Sequence, residues 1–290
     1  MEEKKAVFNW FPGHMNKSIK DIERQISVVD LVVYIIDARA PLSTQNFLFK
    51  NILKSKKIIY LFAKSDISDM LVTNKWLDYF NMNFKIAMLI EKNCNKNKSN
   101  LIKFINHNLT EVFKKQRSRG YEKINSNVLV IGIPNVGKST FINSLSTQKK
   151  VNAANKPGVT RGLQRIVLTP EITLIDSPGI SPSKFETKEK AIICAASNCL
   201  RIFDTYKNEV AASILDLLLK DYKCIIEDAF KIKLNNYYEY NEEYIYNIFE
   251  ELSILYSGEK NNIDLGVEIF LNKLLNYKIT NISFERPKNE

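Results

Sequence analysis

The chain has 290 residues, 45% of them hydrophobic and 26% charged, with a formal net charge of +10. That apolar content excludes wholesale disorder and suffices for one large domain or two ordinary ones, while no apolar run is long enough for a membrane span. The basic excess favours an anionic partner, nucleic acid or a membrane surface. Cys94, Cys194, Cys199 and Cys224 form no C-x-x-C pair and have no His beside them. A zinc site or disulfide framework is therefore not expected, and a reducing compartment fits. The charged start, Met1 to Lys5, has no signal-peptide core behind it, so a cytoplasmic protein is the expectation.

In chain order, Trp10-Phe-Pro-Gly-His-Met15 comes first and reads as an ordered loop, because aromatics flank a Pro-Gly pair. With Asn16 or Ser18 as cap, Lys17 to Ile26 reads as a helix exposing Lys17, Lys20 and Arg24. Val28 to Ile36 predicts a strand ending at Asp37. Asp37-Ala-Arg-Ala-Pro41 leaves it as a loop, and Phe47 to Leu53 is a helix. Ile58 to Phe62 is the next strand, ending in Ala63-Lys-Ser-Asp66. Thr73 to Phe80 is helical and Phe84 to Ile90 a strand. Glu91 to Asn100 is rich in Asn and Lys and reads as a surface loop, followed by a helix over Leu101 to Lys115 and a polar connector over Gln116 to Ser126.

Val128 to Ile133 predicts a buried parallel strand and Thr140 to Leu145 a helix. Between them, Gly132-Ile-Pro-Asn-Val-Gly-Lys-Ser-Thr140 fits G-x-x-x-x-G-K-[ST], the phosphate-cradling loop. In such a loop backbone N–H groups face the phosphates, Lys138 neutralises the β- and γ-phosphates, and the Ser139 hydroxyl ligates Mg²⁺. Val151 to Gly162 is a Gly/Pro-punctuated loop. Leu163 to Leu168 and Ile172 to Ile175 are strands turned at Pro170-Glu171, and the second ends in Asp176-Ser-Pro-Gly179. From Phe185 the apolar spacing becomes helical, as in Ile245, Ile248, Phe249, Leu252 and Leu255, and again in Val267, Phe270, Leu271, Leu274 and Leu275.

Two short motifs narrow the nucleotide. Asp176-Ser-Pro-Gly179 matches D-x-x-G, whose Asp holds Mg²⁺ through water and whose Gly N–H senses the γ-phosphate. Lys64-Ser-Asp66 matches the end of N-K-x-D, in which the carboxylate accepts two hydrogen bonds from the guanine edge that adenine does not offer. Thr160 is the expected switch threonine that binds Mg²⁺ when the γ-phosphate is present. The expected substrate is GTP. The guanine motif precedes the phosphate loop, the reverse of the ordinary order. The expected fold is therefore α/β: a circularly permuted P-loop GTPase domain over 1–184, with a doubly wound, mostly parallel sheet, followed by a smaller all-α domain over 185–290.

These motifs, with Trp10 to Met15, Asp37-Ala-Arg-Ala-Pro-Leu-Ser43, Pro157 to Thr160 and the tail Ile282-Ser-Phe-Glu-Arg-Pro287, resemble the circularly permuted ribosome biogenesis GTPase A (YlqF) family over nearly the whole chain. The resemblance implies GTP hydrolysis stimulated by the maturing large ribosomal subunit. It also implies a helical domain that contacts rRNA, and it points to neither DNA nor membrane; off the ribosome a monomer is expected. It assigns nucleotide contacts to Lys64, Asp66, Asn135, Val136, Gly137, Lys138, Ser139, Thr140 and Gly179, and Mg²⁺ to Ser139, Thr160 and Asp176. Asn135 corresponds to an Asn associated with K⁺ in related GTPases. Ile180 stands where a water-orienting Gln is common, and His14 is the family's candidate catalytic replacement. Three features depart from the pattern. Ala63 replaces the motif's Asn, no S-A signature is evident near Ala87-Met-Leu89, and Ser257 to Asn261 replaces a Gly- and Arg-rich stretch. Two other functions stay open: a nucleotide-dependent rRNA or ribosome clamp with negligible hydrolysis, and a membrane-surface or signalling GTPase, for which no lipidation signal speaks.

Overall fold

The computed structural model describes residues 13–83, 86–90, 94–145, 163–235, 241–260 and 262–287, and the side chains among them except those of 13, 14 and 94–97. One sheet is built from β1 (Leu31–Asp37), β2 (Ile58–Ala63), β3 (Ile86–Leu89), β4 (Ser126–Ile131), β5 (Gln164–Thr169) and β6 (Ile172–Asp176). Their order is β3-β2-β1-β4-β6-β5. Every pairing is parallel except β5 with β6. The apolar runs read as strands are strands because both sheet faces are covered; all seven residues of β1 are buried.

Alternate side chains of each strand serve opposite faces. Val32, Tyr34, Ile36, Phe62, Leu129 and Ile131 share one core with α1 (Gly13–Gln25), α2 (Leu48–Ile52) and α3 (Met70–Met82). Trp76 and Phe80 of α3 fill it, with Phe80 edge-on to both Tyr60 and Phe62. Leu31, Val33, Ile35, Leu61, Val128 and Val130 face the other way, toward α4 (Cys94–Ser118) and α5 (Lys138–Leu145). The same continuous core takes in α6 (Lys188–Ala196), α7 (Lys207–Phe230), α8 (Glu242–Ser257) and α9 (Ile263–Leu275). Side-chain caps start several of these helices: Asp69 for α3, Thr187 for α6, Asn241 for α8 and Asn262 for α9.

The tail then returns to the sheet. Ile282 bridges Ser68, and Phe284 N–H donates to the Arg39 carbonyl at 2.7 Å. The Glu285 carboxylate accepts from Leu42 N–H and Ser43 N–H, both at 2.8 Å. Among the described residues no helix is long and apolar enough to cross a membrane.

Four local expectations need correction. Helix α1 starts at Gly13, so Gly13 to Met15 are helical and neither Asn16 nor Ser18 caps it; residues 10–12 lie outside the described residues. The reason is packing: buried Met15 extends the stripe of Ile19, Ile22 and Ile26 one turn back. Strand β1 starts at Leu31, because Ile26–Val28 forms a 3-10 turn that leaves Val28 exposed. Helix α4 starts at Cys94, so the Asn- and Lys-rich residues 94–100 are helical. Leu101, Ile105 and Leu109 bury one face of that helix, and propagation from this anchored stretch overrides the composition. Strand β5 is an edge strand starting at Gln164, and Val167 on it is exposed.

Candidate nucleotide site

Because β1, β2, β4 and β6 run parallel, the segments after them emerge at one edge of the sheet, where ligands bind in open α/β sheets. The segment after β4 is the phosphate loop. A Cβ at Gly132 would sit 2.6 Å from the Ile35 carbonyl oxygen, so only glycine lets the loop pass that close to β1. Asn135 at φ 59° and Gly137 at φ 109° both take positive φ, the turn geometry that points successive N–H groups into a shared concavity. Val136 between them is buried. Lys138 opens α5, as the motif requires. Its buried amine donates to the Ile133 carbonyl at 3.3 Å. Burial pushes this amine down to about 8, against the pull of Asp176. Ser139 is half-buried and Thr140 exposed at the start of the same helix.

Asp176 ends β6 and is buried, and its Oδ2 has no hydrogen-bond partner. Burial raises its carboxyl to about 6, with the Lys138 charge opposing. An orphaned buried carboxylate oxygen beside a desolvated ammonium is a costly arrangement that a phosphate and a cation would relieve. The D-x-x-G glycine completes the cradle. A Cβ at Gly179 would lie 2.9 Å from Pro134 backbone and 3.1 Å from Lys138 Nζ. Ile180 turns its side chain into the core, and its carbonyl accepts from Asn46 Nδ2 at 2.8 Å.

The segment after β2 carries the guanine motif. Ala63 is buried, and a Cβ on Gly137 would come 3.3 Å from its Cβ, so this segment touches the phosphate loop. Lys64 adopts φ 61°, and Asp66 lies exposed in the 3-10 turn Ser65–Ile67. Ser65 Oγ donates to the Ile90 carbonyl at 3.0 Å and ties this turn to the end of β3. Lys64, Asp66, Gly179 and the loop from Asn135 to Thr140 thus occupy neighbouring positions along one sheet edge, with Asp176 among them. Two expected site residues are not placed. His14 lies in the first turn of α1, but its side chain is outside the described ones, and Thr160 lies outside the described residues.

Sequence reasoning missed part of the site. Asp37, at the end of β1, is fully buried and pairs with Lys64 Nζ at 2.8 Å and with Arg39 Nη2 at 2.9 Å. Burial by itself would raise this carboxyl, yet the Arg39 and Lys64 charges hold it well below the usual carboxylate range. The turn after α6 also reaches in: the Ser197 carbonyl accepts from Lys64 Nζ at 3.1 Å, and the Asn198 carbonyl from Asn135 Nδ2 at 2.9 Å. The spacing Asp37-Ala-Arg39 at a strand end was the available signal. Ser197 and Asn198 had none.

Residues 127–239 match the family model described as a 50S ribosome-binding GTPase. The ribosome biogenesis GTPase A of Bacillus licheniformis is 30% identical over 98% of this chain and 99% of its own. That of Priestia megaterium is 31% identical over 97% of each. Among solved structures, GNP-bound YlqF from T. maritima shares the fold at TM-score 0.60, with 22% identity, covering 94% of this chain and 100% of its own.

Proposed function

Since the chain belongs to the ribosome biogenesis GTPase A family and is a GTPase, we propose that it is an assembly factor for the large ribosomal subunit. In this reading it binds a precursor of that subunit through rRNA in the GTP state and leaves after hydrolysis. It works in the cytoplasm, as a monomer when off the ribosome. The observation that carries the reading is the meeting of Lys64 to Asp66, Gly132 to Thr140 and Asp176 to Gly179 at one sheet edge, with the guanine motif first in the chain.

Each residue has work in this scheme. Asp66, exposed at the edge, accepts from the guanine N1 and N2 donors. The N–H groups from Asn135 to Ser139 surround the phosphates, with Val136 packing the loop from beneath. Thr140 closes the loop on the side of the α-phosphate. A phosphate that meets the Lys138 amine would offset the burial that lowers it. Ser139, Asp176 and Thr160 would hold Mg²⁺, which supplies charge neutralisation on the β- and γ-phosphates. Asn135 donates through Nδ2 to Asn198, so its oxygen is the end that would face K⁺. Gly179 N–H reads the γ-phosphate, and Gly179 leads within nine residues into α6. His14 positions the attacking water, because buried Ile180 has no group for that task.

Single-turnover GTP hydrolysis with and without large subunits tests the proposal. Stimulation by the subunits is expected. Nucleotide-dependent subunit binding without stimulation would favour the clamp reading, to which buried Ile180 lends its weight.

A further inference from the structure

Ala63 removes the side-chain amide that would brace Lys64 and the phosphate loop, yet Lys64 is not loose. Its backbone is held at φ 61°, ψ 28°, a left-handed conformation uncommon outside glycine. Its side chain is 13% exposed. Its ammonium meets three groups from distant parts of the chain: Asp37 Oδ2 at 2.8 Å, the Ser197 carbonyl at 3.1 Å and the face of Tyr277, with Nζ 5.0 Å from the ring centroid. These contacts fix the place of the ammonium.

Asp37 is itself fixed. Arg39 grips it with a planar fork, Nε to Oδ1 at 3.0 Å and Nη2 to Oδ2 at 2.9 Å, and Arg39 N–H adds a bond to Oδ1 at 2.9 Å. Arg39 is fully buried; its guanidinium lies over the rings of Tyr277 and Phe284 at 5.4 and 5.2 Å, and Nη2 also donates to Ser197. A guanidinium, an ammonium and a carboxylate buried together would be an expensive way to hold a loop. Apolar residues of the same volume would do that as well or better.

We propose that Asp37, locked by Arg39 and aided by the Ser197 carbonyl, is a positioning residue that presents Lys64 to the guanine nucleotide, and that it suffices for this although Ala63 offers no amide brace. This inference rests on the reading of Lys64 to Asp66 as the guanine reader. The cluster gathers the end of β1, the turn after α6 and the segment after α9 around one lysine.

The test is a double-mutant cycle on GDP affinity in the full chain, with folding checked by thermal unfolding of each variant. Asp37→Asn keeps the volume and removes the charge. It should weaken GDP by about tenfold or more, the cost of one charge-assisted hydrogen bond. In the Lys64→Ala background the same change should cost nothing further, because Asp37 acts only through Lys64. Losses that add, or a parent-like GDP affinity for Asp37→Asn, would overturn the proposal. A purely structural Asp37 would lower the unfolding temperature and leave the affinity of the folded protein alone. Ala63→Asn serves where Asp37→Asn fails to fold. With the clamp in place the added amide should change GDP affinity less than about twofold, and tightening by about tenfold would mean the clamp does not substitute for it. Asp66→Asn and Lys64→Ala guard the premise. If both bind GDP like the parent, the guanine reader is misassigned and the clamp falls with it. If they lose GDP while Asp37→Asn does not, only the clamp falls.

Discussion

Asp176 and Lys138 are each driven toward neutrality by burial, to about 6 and about 8, and this gives the ligand-free protein a defined pH signature. The folded carboxyl sits above its ordinary value of 3.8, so the native state binds more protons than the unfolded chain between the two. Stability from this group therefore rises as pH falls from about 6 toward 4, and is lowest above 6. Lys138 has the opposite sign: its folded value lies below the ordinary 10.5, and stability rises as pH climbs through the window from about 8. Urea unfolding without nucleotide should show Asp176→Asn gaining on the parent as pH rises from 4 to 7, by up to about 3 kcal/mol. A pH-independent difference would show that the carboxyl is ionised at little cost. The other residue-scale expectation concerns His14, whose place at the start of α1 leaves its role a matter for kinetics. His14→Ala should cut subunit-stimulated turnover by about 10²- to 10⁴-fold while GTP affinity and subunit binding stay near the parent. Loss of subunit binding in step with turnover would make it an interface residue instead.

At the scale of elements, strands were legible where both faces are buried, since the middles of β1, β2 and β4 are apolar and β6 carries Ile172, Leu174 and Ile175. Boundaries were less so. Residues 94–100 look like a loop by composition and are helical because α4 is anchored farther along. The phosphate loop and Asp176 were legible because their chemistry is local. The clamp on Lys64 was not, because residues 37, 39, 64, 197 and 277 meet only after the chain has folded. Close helix packing was also hidden. A Cβ at Gly266 in α9 would lie 1.8 Å from the Phe249 carbonyl of α8, whereas one at Gly258 would meet nothing but sits at φ 74°. Gly266→Ala should therefore cost about 3 kcal/mol by forcing two backbones apart. Gly258→Ala should cost about 1 kcal/mol by strain at the α8 C-cap. Chemical denaturation of the two variants separates these mechanisms, and equal losses would mean that α8 and α9 can slide to make room.

Over the whole molecule, the permuted order has a physical consequence. The segment that follows Gly179 is α6, and the turn after α6 reaches back to Lys64 and Asn135. If Gly179 reads the γ-phosphate as proposed above, helix α6 is joined to that position by chain continuity, and the Ser197–Asn198 turn after it meets the site again at Lys64 and Asn135. The surplus charge of +10 is the other whole-molecule property, and it bears on rRNA. Lys17, Lys20 and Arg24 lie exposed on α1, three and four residues apart and so along one face, while Met15 and Ile22 bury the opposite side. Arg24 reaches Asp21 at 3.5 Å, but at 76% side-chain exposure that interaction is weak and easily exchanged for a phosphate. If this face lies on rRNA, affinity for large subunits should fall as salt rises. Replacing all three residues by Ala should then lower the magnitude of the log–log slope by about two to three, because each phosphate that is no longer neutralised keeps its counterion. The buried face is untouched by these changes, so folding and GDP affinity should stay at parent values and serve as internal controls. A salt slope unchanged in the triple variant would remove α1 from the interface and shift the search for it to the helical region.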